Sequence, residues 1–374
     1  MAVSVFPSSS ASGEVTTYYG LAKYGTYTVD LPAGVYDLTS SKEVTVGGLD
    51  VNGTASLQLF SSGIDSLFLS RLFDPAATWT SRTSGFYWTL NIYGVTYGNG
   101  LYVAVGSTGN LSTSPDGITW TFQTSGFGST NILGVTYGDG LYVAVGVSGT
   151  LTTSTDGITW TARTSGFGTT GITAVTYGNG RYVAVGDSGT LTRSTDGTTW
   201  TALTSGFGST NILGVTYGDG LYVAVGDSGQ MSTSTNGITW TTRTSGFGTT
   251  GIRGVTYGDG LYVAVGSTGT LTTSPDGTTW TARTSGFGTS AISAVTYGDG
   301  LYVAVGFSGK LITSTDGTTW TSRASGLSGV MYAVTYGAGP YVAVGGNGNL
   351  TTLDPVANSA VITITPKTPS VLLP

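Results

Sequence analysis

The chain has 374 residues, a formal net charge of −6, no cysteine and no histidine. The two missing residue types exclude disulfide staples, thiolate nucleophiles, zinc held by Cys or His, and histidine acid–base catalysis. Only 9% of residues are charged, against roughly 25% in an average soluble domain, and Lys and Arg are scattered singly, so neither nucleic acid nor an anionic membrane is an expected partner.

The N-terminus, Met1-Ala2-Val3-Ser4-Val5-Phe6, has no basic start and no apolar run of signal-peptide length. No stretch approaches the about 20 apolar residues of a membrane span. The expectation is a protein made in the cytosol and not exported by the standard route. Residues 1–70 carry short alternating segments at 24–32, 34–38, 44–46 and 55–60. They predict a small β-sandwich or barrel. Residues 65–72 read as a short helix or strand leading into the remainder of the chain.

From residue 71 to 354 the chain repeats. Trp120, Trp160, Trp200, Trp240, Trp280 and Trp320 lie 40 residues apart, and Trp79 is one residue off that grid. A Tyr-Gly-(Asn/Asp/Ala)-Gly signature begins at Tyr97, Tyr137, Tyr177, Tyr217, Tyr257, Tyr297 and Tyr336. A period near 40 means a propeller blade or a helical pair, and the interior of the repeat decides. Residues 132–137, 141–145, 150–154 and 158–164 are β-branched or aromatic runs, separated by Gly-Asp-Gly, Gly-Val-Ser-Gly and Asp-Gly. These are hairpin signals, and no window carries a helical period. Four strands per repeat, seven times over, predict an all-β, seven-bladed β-propeller. Small residues recur at one position of the first strand (Gly94, Gly134, Ala174, Gly214, Gly254, Ala294, Ala333), as crowding around an axis demands. The repeat enters on an orphan fourth strand around Trp79 and leaves after a third strand at 349–353. The N-terminal strand is therefore expected to complete the last blade and remove the open edges. Residues 355–374 read as one strand, 360–365, followed by an extended tail with Pro366, Pro369 and Pro374. The strand is placed to return to the N-terminal sheet.

The turn between third and fourth strands reads Ser154-Thr155-Asp156-Gly157-Ile158-Thr159-Trp160, with Asn236 replacing Asp in one copy. It resembles the Asp-box hairpin of BNR and sialidase-like propellers, shortened by one residue between Asp and Gly. The resemblance implies that Asp116, Asp156, Asp196, Asp276 and Asp316 are structural and peripheral. An Asp side chain accepting from its own turn's amides leads to the same reading. Trp120, Trp160, Trp200, Trp240, Trp280 and Trp320 are expected to pack between blades.

Sialidase-like chemistry would need an arginine cluster and a glutamate-activated tyrosine. The only Glu residues, Glu14 and Glu43, precede the repeat. The repeat's arginines mostly follow the Trp strand (Arg163, Arg243, Arg283, Arg323, with Arg82 in the closing strand), which reads as a solvated outer pattern. The expectation is no enzyme, no cofactor and no metal, since each loop offers one carboxylate. An alternative glycoside hydrolase would use Asp187 and Asp227, on equivalent loops of neighbouring blades.

Because strand direction alternates, the Gly-Asp-Gly turns and the Asp-containing turns share one face. The other face collects the second-to-third turns and the interblade loops, and there the copies diverge. Asp187, Asp227, Arg253, Phe307, Asn131, Asn211 and Trp88 are the candidate ligand-binding residues, with neutral drift of loops as the competing explanation. A Gly/Ser/Thr/Tyr-rich, weakly charged, recently duplicated β-structure resembles phage fibre and adhesin proteins. That resemblance implies a virion protein, a tail fibre or capsid decoration assembled in the host cytoplasm. Residues 1–70 would anchor it to other virion proteins or to sister chains, and the propeller would be displayed to host-surface glycan. A bacterial cell-surface or secreted adhesin is the alternative.

Overall fold

A computed structural model describes residues 78–353 apart from 88, 338 and 339, together with the backbone of seven outlying strands (15–19, 27–32, 34–40, 46–51, 55–57, 66–72 and 359–364). Trp88, residues 1–14 and the Pro-rich tail lie outside the described residues. Internal contacts divide the chain into residues 78–353 and a second unit of residues 1–77 with 354–374.

In the second unit, Val15–Tyr19, Ser66–Leu72, Gly34–Ser40 and Val46–Val51 form one antiparallel sheet in that order. Residues 66–72, whose type the sequence left open, are thus a central strand. Ser359–Ile364 pairs antiparallel with Tyr27–Pro32 and parallel with Ala55–Leu57.

Residues 78–353 form the seven-bladed propeller. Blade 2 shows the plan: Ile132–Gly138, Leu141–Gly146, Thr150–Ser154 and Thr161–Thr164, each antiparallel to the last. Blade 7 joins Met331–Tyr336, Tyr341–Gly345 and Asn349–Leu353 to Trp79–Thr83, with Leu353 opposite Trp79 and Asn349 opposite Thr83. Each first strand lies beside that of the next blade, and Met331–Tyr336 lies beside Ile92–Gly98, which closes the ring.

Local chemistry dictates these strands. In the first hairpin Asp139 (φ 45°) and Gly140 (φ 77°) both have positive φ, as a two-residue type I′ connection requires. The Leu-Tyr-Val-Ala-Val second strands favour a pleated, buried surface. They are the core: Val103, Val105, Leu111 and Phe127 of blade 1 pack on Ile132, Tyr142 and Ala144 of blade 2, with Trp160 against them. Each buried Val, Leu or Phe contributes about 1.5–3 kcal/mol relative to exposure, and the same wedge recurs around the ring.

Polar bonds lock neighbouring blades together. The Tyr142 hydroxyl donates to Gly98 O of blade 1, Tyr182 to Gly138 O, and Tyr102 to Pro340 O across the closure at 2.8 Å. Within each blade a buried serine ties the outer strand's end to the second-to-third turn: Ser125 Oγ donates to Gly109 O at 2.5 Å and accepts from Phe127 N at 3.2 Å. Neither device was read from the sequence.

Two strand-level expectations are corrected. The fourth strand begins at Thr161 rather than Ile158. Asp156 Oδ1 accepts from Ile158 N (2.8 Å), Thr159 N (2.7 Å) and Ser154 Oγ (2.9 Å), which holds those residues in the turn. The outer arginines are not simply solvated. Arg163, Arg243 and Arg283 donate Nε to Thr153, Thr233 and Thr273 Oγ1 at 2.8–3.0 Å, stitching fourth strand to third.

These bonds have measurable consequences. Tyr182→Phe leaves Gly138 O without its buried donor and is expected to lower unfolding stability by about 1–3 kcal/mol; an unchanged urea midpoint would show the bond to be idle. Burial holds the tyrosines that donate across blade boundaries (Tyr102, Tyr142, Tyr182, Tyr222, Tyr262 and Tyr302) above their usual value of 10.0, Tyr222 at about 12. A raised folded value means that this stabilisation is complete below pH 10 and is lost as pH rises through 12. Urea unfolding at a series of pH values should show that decline. The amides of Thr159 and Ile158 lower Asp156 from 3.8 to about 2. Its contribution is therefore present above pH 3.8 and is lost as pH falls towards 2. Asn236 accepts the same two backbone bonds (2.8 and 3.0 Å) without a charge. Asp156→Asn should accordingly keep the fold and flatten the acid limb of the stability curve, and an unaltered acid limb would count against this account.

Candidate functional site

The variable face is built on seven three-residue turns between second and third strands, for example Asp187–Gly189. The middle residue of each is left-handed though not glycine, as with Ser188 (φ 54°, ψ 32°). Such a conformation needs support from its surroundings, and in three of the seven turns an asparagine supplies it. Asn131 Oδ1 accepts from Thr108 N at 2.8 Å, Asn211 Oδ1 from Ser188 N at 2.9 Å, and Asn91 Oδ1 from Asn347 N at 3.2 Å. Each links one blade's turn to the next blade's entry. Asn131 and Asn211, singled out as ligand-binding candidates, thus have their carbonyl oxygens engaged by the scaffold. Asn211 also donates Nδ2 to Asp227 Oδ2 at 3.2 Å.

The two candidate aspartates share a setting. A Cβ at Gly171 would stand 2.5 Å from Asp187 Oδ2, and one at Gly251 would stand 3.3 Å from Asp227 Oδ1. Glycine therefore makes room for each carboxylate, at the position where blades 1, 2 and 4 place asparagine. Arg253 and Phe307 are brought together from neighbouring blades. The guanidinium carbon lies 5.6 Å from the ring centroid, within cation–π range. Arg253 Nε also donates to Ser267 Oγ at 3.1 Å, and the side chain is exposed.

Sequence reading missed a second cluster on this face. Tyr93 and Tyr332, from blades 1 and 7, have ring centroids 5.3 Å apart, and Asn91 Nδ2 donates to the Tyr93 hydroxyl at 3.2 Å. The signal was available, because Tyr93, Tyr332 and Arg253 occupy the same first-strand position. Thr173 at that position turns inward and donates to Ile212 O at 2.6 Å. The surface so assembled offers one cation over an aromatic ring, two carboxylates, amides and a tyrosine pair. Among the described residues no group of three or more Asp or Glu is placed to hold a metal ion.

No curated protein matches the chain significantly. Solved structures match the fold. YCF48 from Cyanidioschyzon merolae aligns with a TM-score of 0.60 and 18% identity, over 75% of this chain and 99% of that one. Virginiamycin B lyase from Staphylococcus aureus aligns with a TM-score of 0.68 and 13% identity, over 74% and 99%. The WD40 propeller domain of Doa1 aligns with a TM-score of 0.60 and 11% identity, over 74% and 96%. At these identities the likeness concerns the fold alone. The family profile described as the DUF6242 beta propeller domain matches residues 135–256 and 246–370, well over half of the sequence, and the chain belongs to that family.

Proposed function

We propose that this chain is a non-enzymatic attachment protein, a rigid ring that displays one variable face to a surface glycan. The observation that carries the reading is the contrast between the two faces. The Tyr-Gly-x-Gly turns repeat with few changes, while the second-to-third turns open with Ser107, Val147, Asp187, Asp227, Ser267, Phe307 and Gly346. In three of those turns an asparagine of the next blade clamps the backbone. Aromatic faces, amides and single charges suit hydroxyl-rich ligands, which stack on rings and accept directed hydrogen bonds. Arg253 over Phe307, Asp227 with Asn211, and the Tyr93–Tyr332 pair are the groups assigned to contact.

In its full form the reading is a bacteriophage virion component, a tail fibre or capsid decoration, whose residues 1–70 join it to other virion proteins or to sister chains. The Ser-x-Asp-Gly turns are then Asp-box-like staples of the scaffold. Asp187 and Asp227 serve recognition in this reading, and no hydrolysis of polysaccharide is expected from the wild type.

A glycan array probed with the whole chain tests it. Binding is expected to a restricted set of glycans, and Arg253→Ala should weaken it about tenfold or more, the scale of one charge-assisted or cation–π contact. Absence of binding to every glycan, or binding indifferent to Arg253→Ala and Tyr332→Ala alike, would overturn the attachment reading.

A further inference from the structure

The wedge between blades 3 and 4 breaks the repeat at five positions, four of them toward the opposite face from the variable turns. The second strand of blade 3 opens with Arg181 where blades 2 and 4 have Leu141 and Leu221. Its third strand carries Arg193 where those blades have Thr153 and Thr233, and its outer strand carries Leu203 where they have Arg163 and Arg243. Asn179 stands in its first hairpin, where Asp139 and Asp219 stand in the neighbours. The Asp of the third-to-fourth turn is Asn236 in blade 4 alone of six copies. Relative to the adjoining blades, two carboxylates are gone and a cation is gained, in a chain with few charges of either sign.

These changes converge in space. Arg193 sits directly across from Val183, and Arg181 is two residues from Val183 on the same strand, so both side chains leave the same side of the sheet. Val183 packs in the core shared with Tyr222 of blade 4, against which Trp240 lies. Both guanidinium groups act electrostatically on the Tyr222 hydroxyl, whose ring centroid is 6.2 Å from that of Trp240.

Donors at this wedge lack acceptors. Among the described residues, Arg181 Nε, Arg193 Nε and Trp240 Nε1 are buried and find no acceptor, while Arg181 Nη1 donates to Asn179 O at 3.4 Å. Elsewhere the indole donates to its own turn, as Trp200 does to Gly197 O at 3.0 Å and Trp280 to Gly277 O at 3.1 Å. Elsewhere, too, the blade's arginine donates to threonine, as Arg163 does to Thr153. Among the described residues, every buried side-chain N–H without an acceptor belongs to this wedge, the remaining orphan atoms being hydroxyls. A buried donor left unmade is costly, and three along one blade boundary call for an acceptor from outside. Two guanidinium groups on one side of the sheet, with Asn179 and Asn236 where the adjoining copies carry Asp, favour a charged acceptor over a neutral one.

We propose that the wedge between blades 3 and 4 is an oxyanion site, in which Arg181 and Arg193 take a carboxylate or phosphate group. It stands apart from the attachment reading, since it uses neither the same face nor the same residues.

Calorimetric titration of the full chain with inorganic phosphate and, separately, with glucuronate tests it and distinguishes the two sources of the anion. Saturable binding of at least one probe is expected. Arg181→Leu, and the paired change Arg193→Thr with Leu203→Arg, should each weaken it at least about tenfold, the scale of one charge-assisted bond. Both variants install residues that the adjoining blades already carry, so folding is expected to survive, and circular dichroism checks this. Asn236→Asp should weaken binding as well, while Arg253→Ala, on the other face, should leave it unchanged. If neither probe binds saturably, or if folded variants bind as the wild type does, the site is overturned.

Discussion

Six of the seven first strands end in a glycine that the next blade rests on. A Cβ at Gly138 would stand 2.1 Å from Cγ of Tyr177, so the ring of one blade lies directly on the backbone of its neighbour. The carbonyl of the same glycine accepts the hydroxyl of Tyr182. One residue thus supplies both the space and the acceptor for the joint, and Gly98, Gly178, Gly218 and Gly258 repeat the arrangement. This close approach sets the separation of the blades. It also explains why small residues recur four residues earlier, at Gly94 and Gly134, where neighbouring first strands come within 3.3 Å of a notional Cβ.

Everything that varies is carried on that joint. Because the blades are locked by tyrosine, glycine and serine, side chains at the tops of the turns are free of packing duty and can differ. Arg253 reaches Phe307 across a blade boundary, and Tyr93 meets Tyr332 across the closure. Contacts of this kind come from different repeats and need the ring for their existence. The wedge at Arg181 and Arg193 is the converse case. There the departure lies within the packed interface itself, and its consequence is three donors without acceptors.

Ring closure has a similar logic. Trp79–Thr83 pairs with Asn349–Leu353, and Ser84 Oγ donates to Gly348 O at 2.8 Å, as its counterparts do within single blades. A segment some 270 residues distant therefore fills the role of a local outer strand, and the seventh blade has the same four strands as the other six.

The sequence by itself determined the number of blades, their strand order and the mixed seventh blade, because a 40-residue period, I′ turn chemistry and β-branched runs are local signals that need no knowledge of neighbours. It also separated the repetitive face from the variable one, since strand alternation follows from counting turns. Only the tertiary structure decided what individual side chains do. Asn131 and Asn211 looked free for a ligand and proved to hold adjacent turns, because the amide they accept from belongs to the preceding blade. Arg163 and its equivalents looked solvated and proved to bond across strands. Tyr93, Tyr332 and the Arg181–Arg193 wedge escaped notice because each depends on atoms about 40 or more than 200 residues apart meeting at a blade boundary. A linear reading compares each position with its equivalents and cannot see the neighbour that the ring's curvature brings against it.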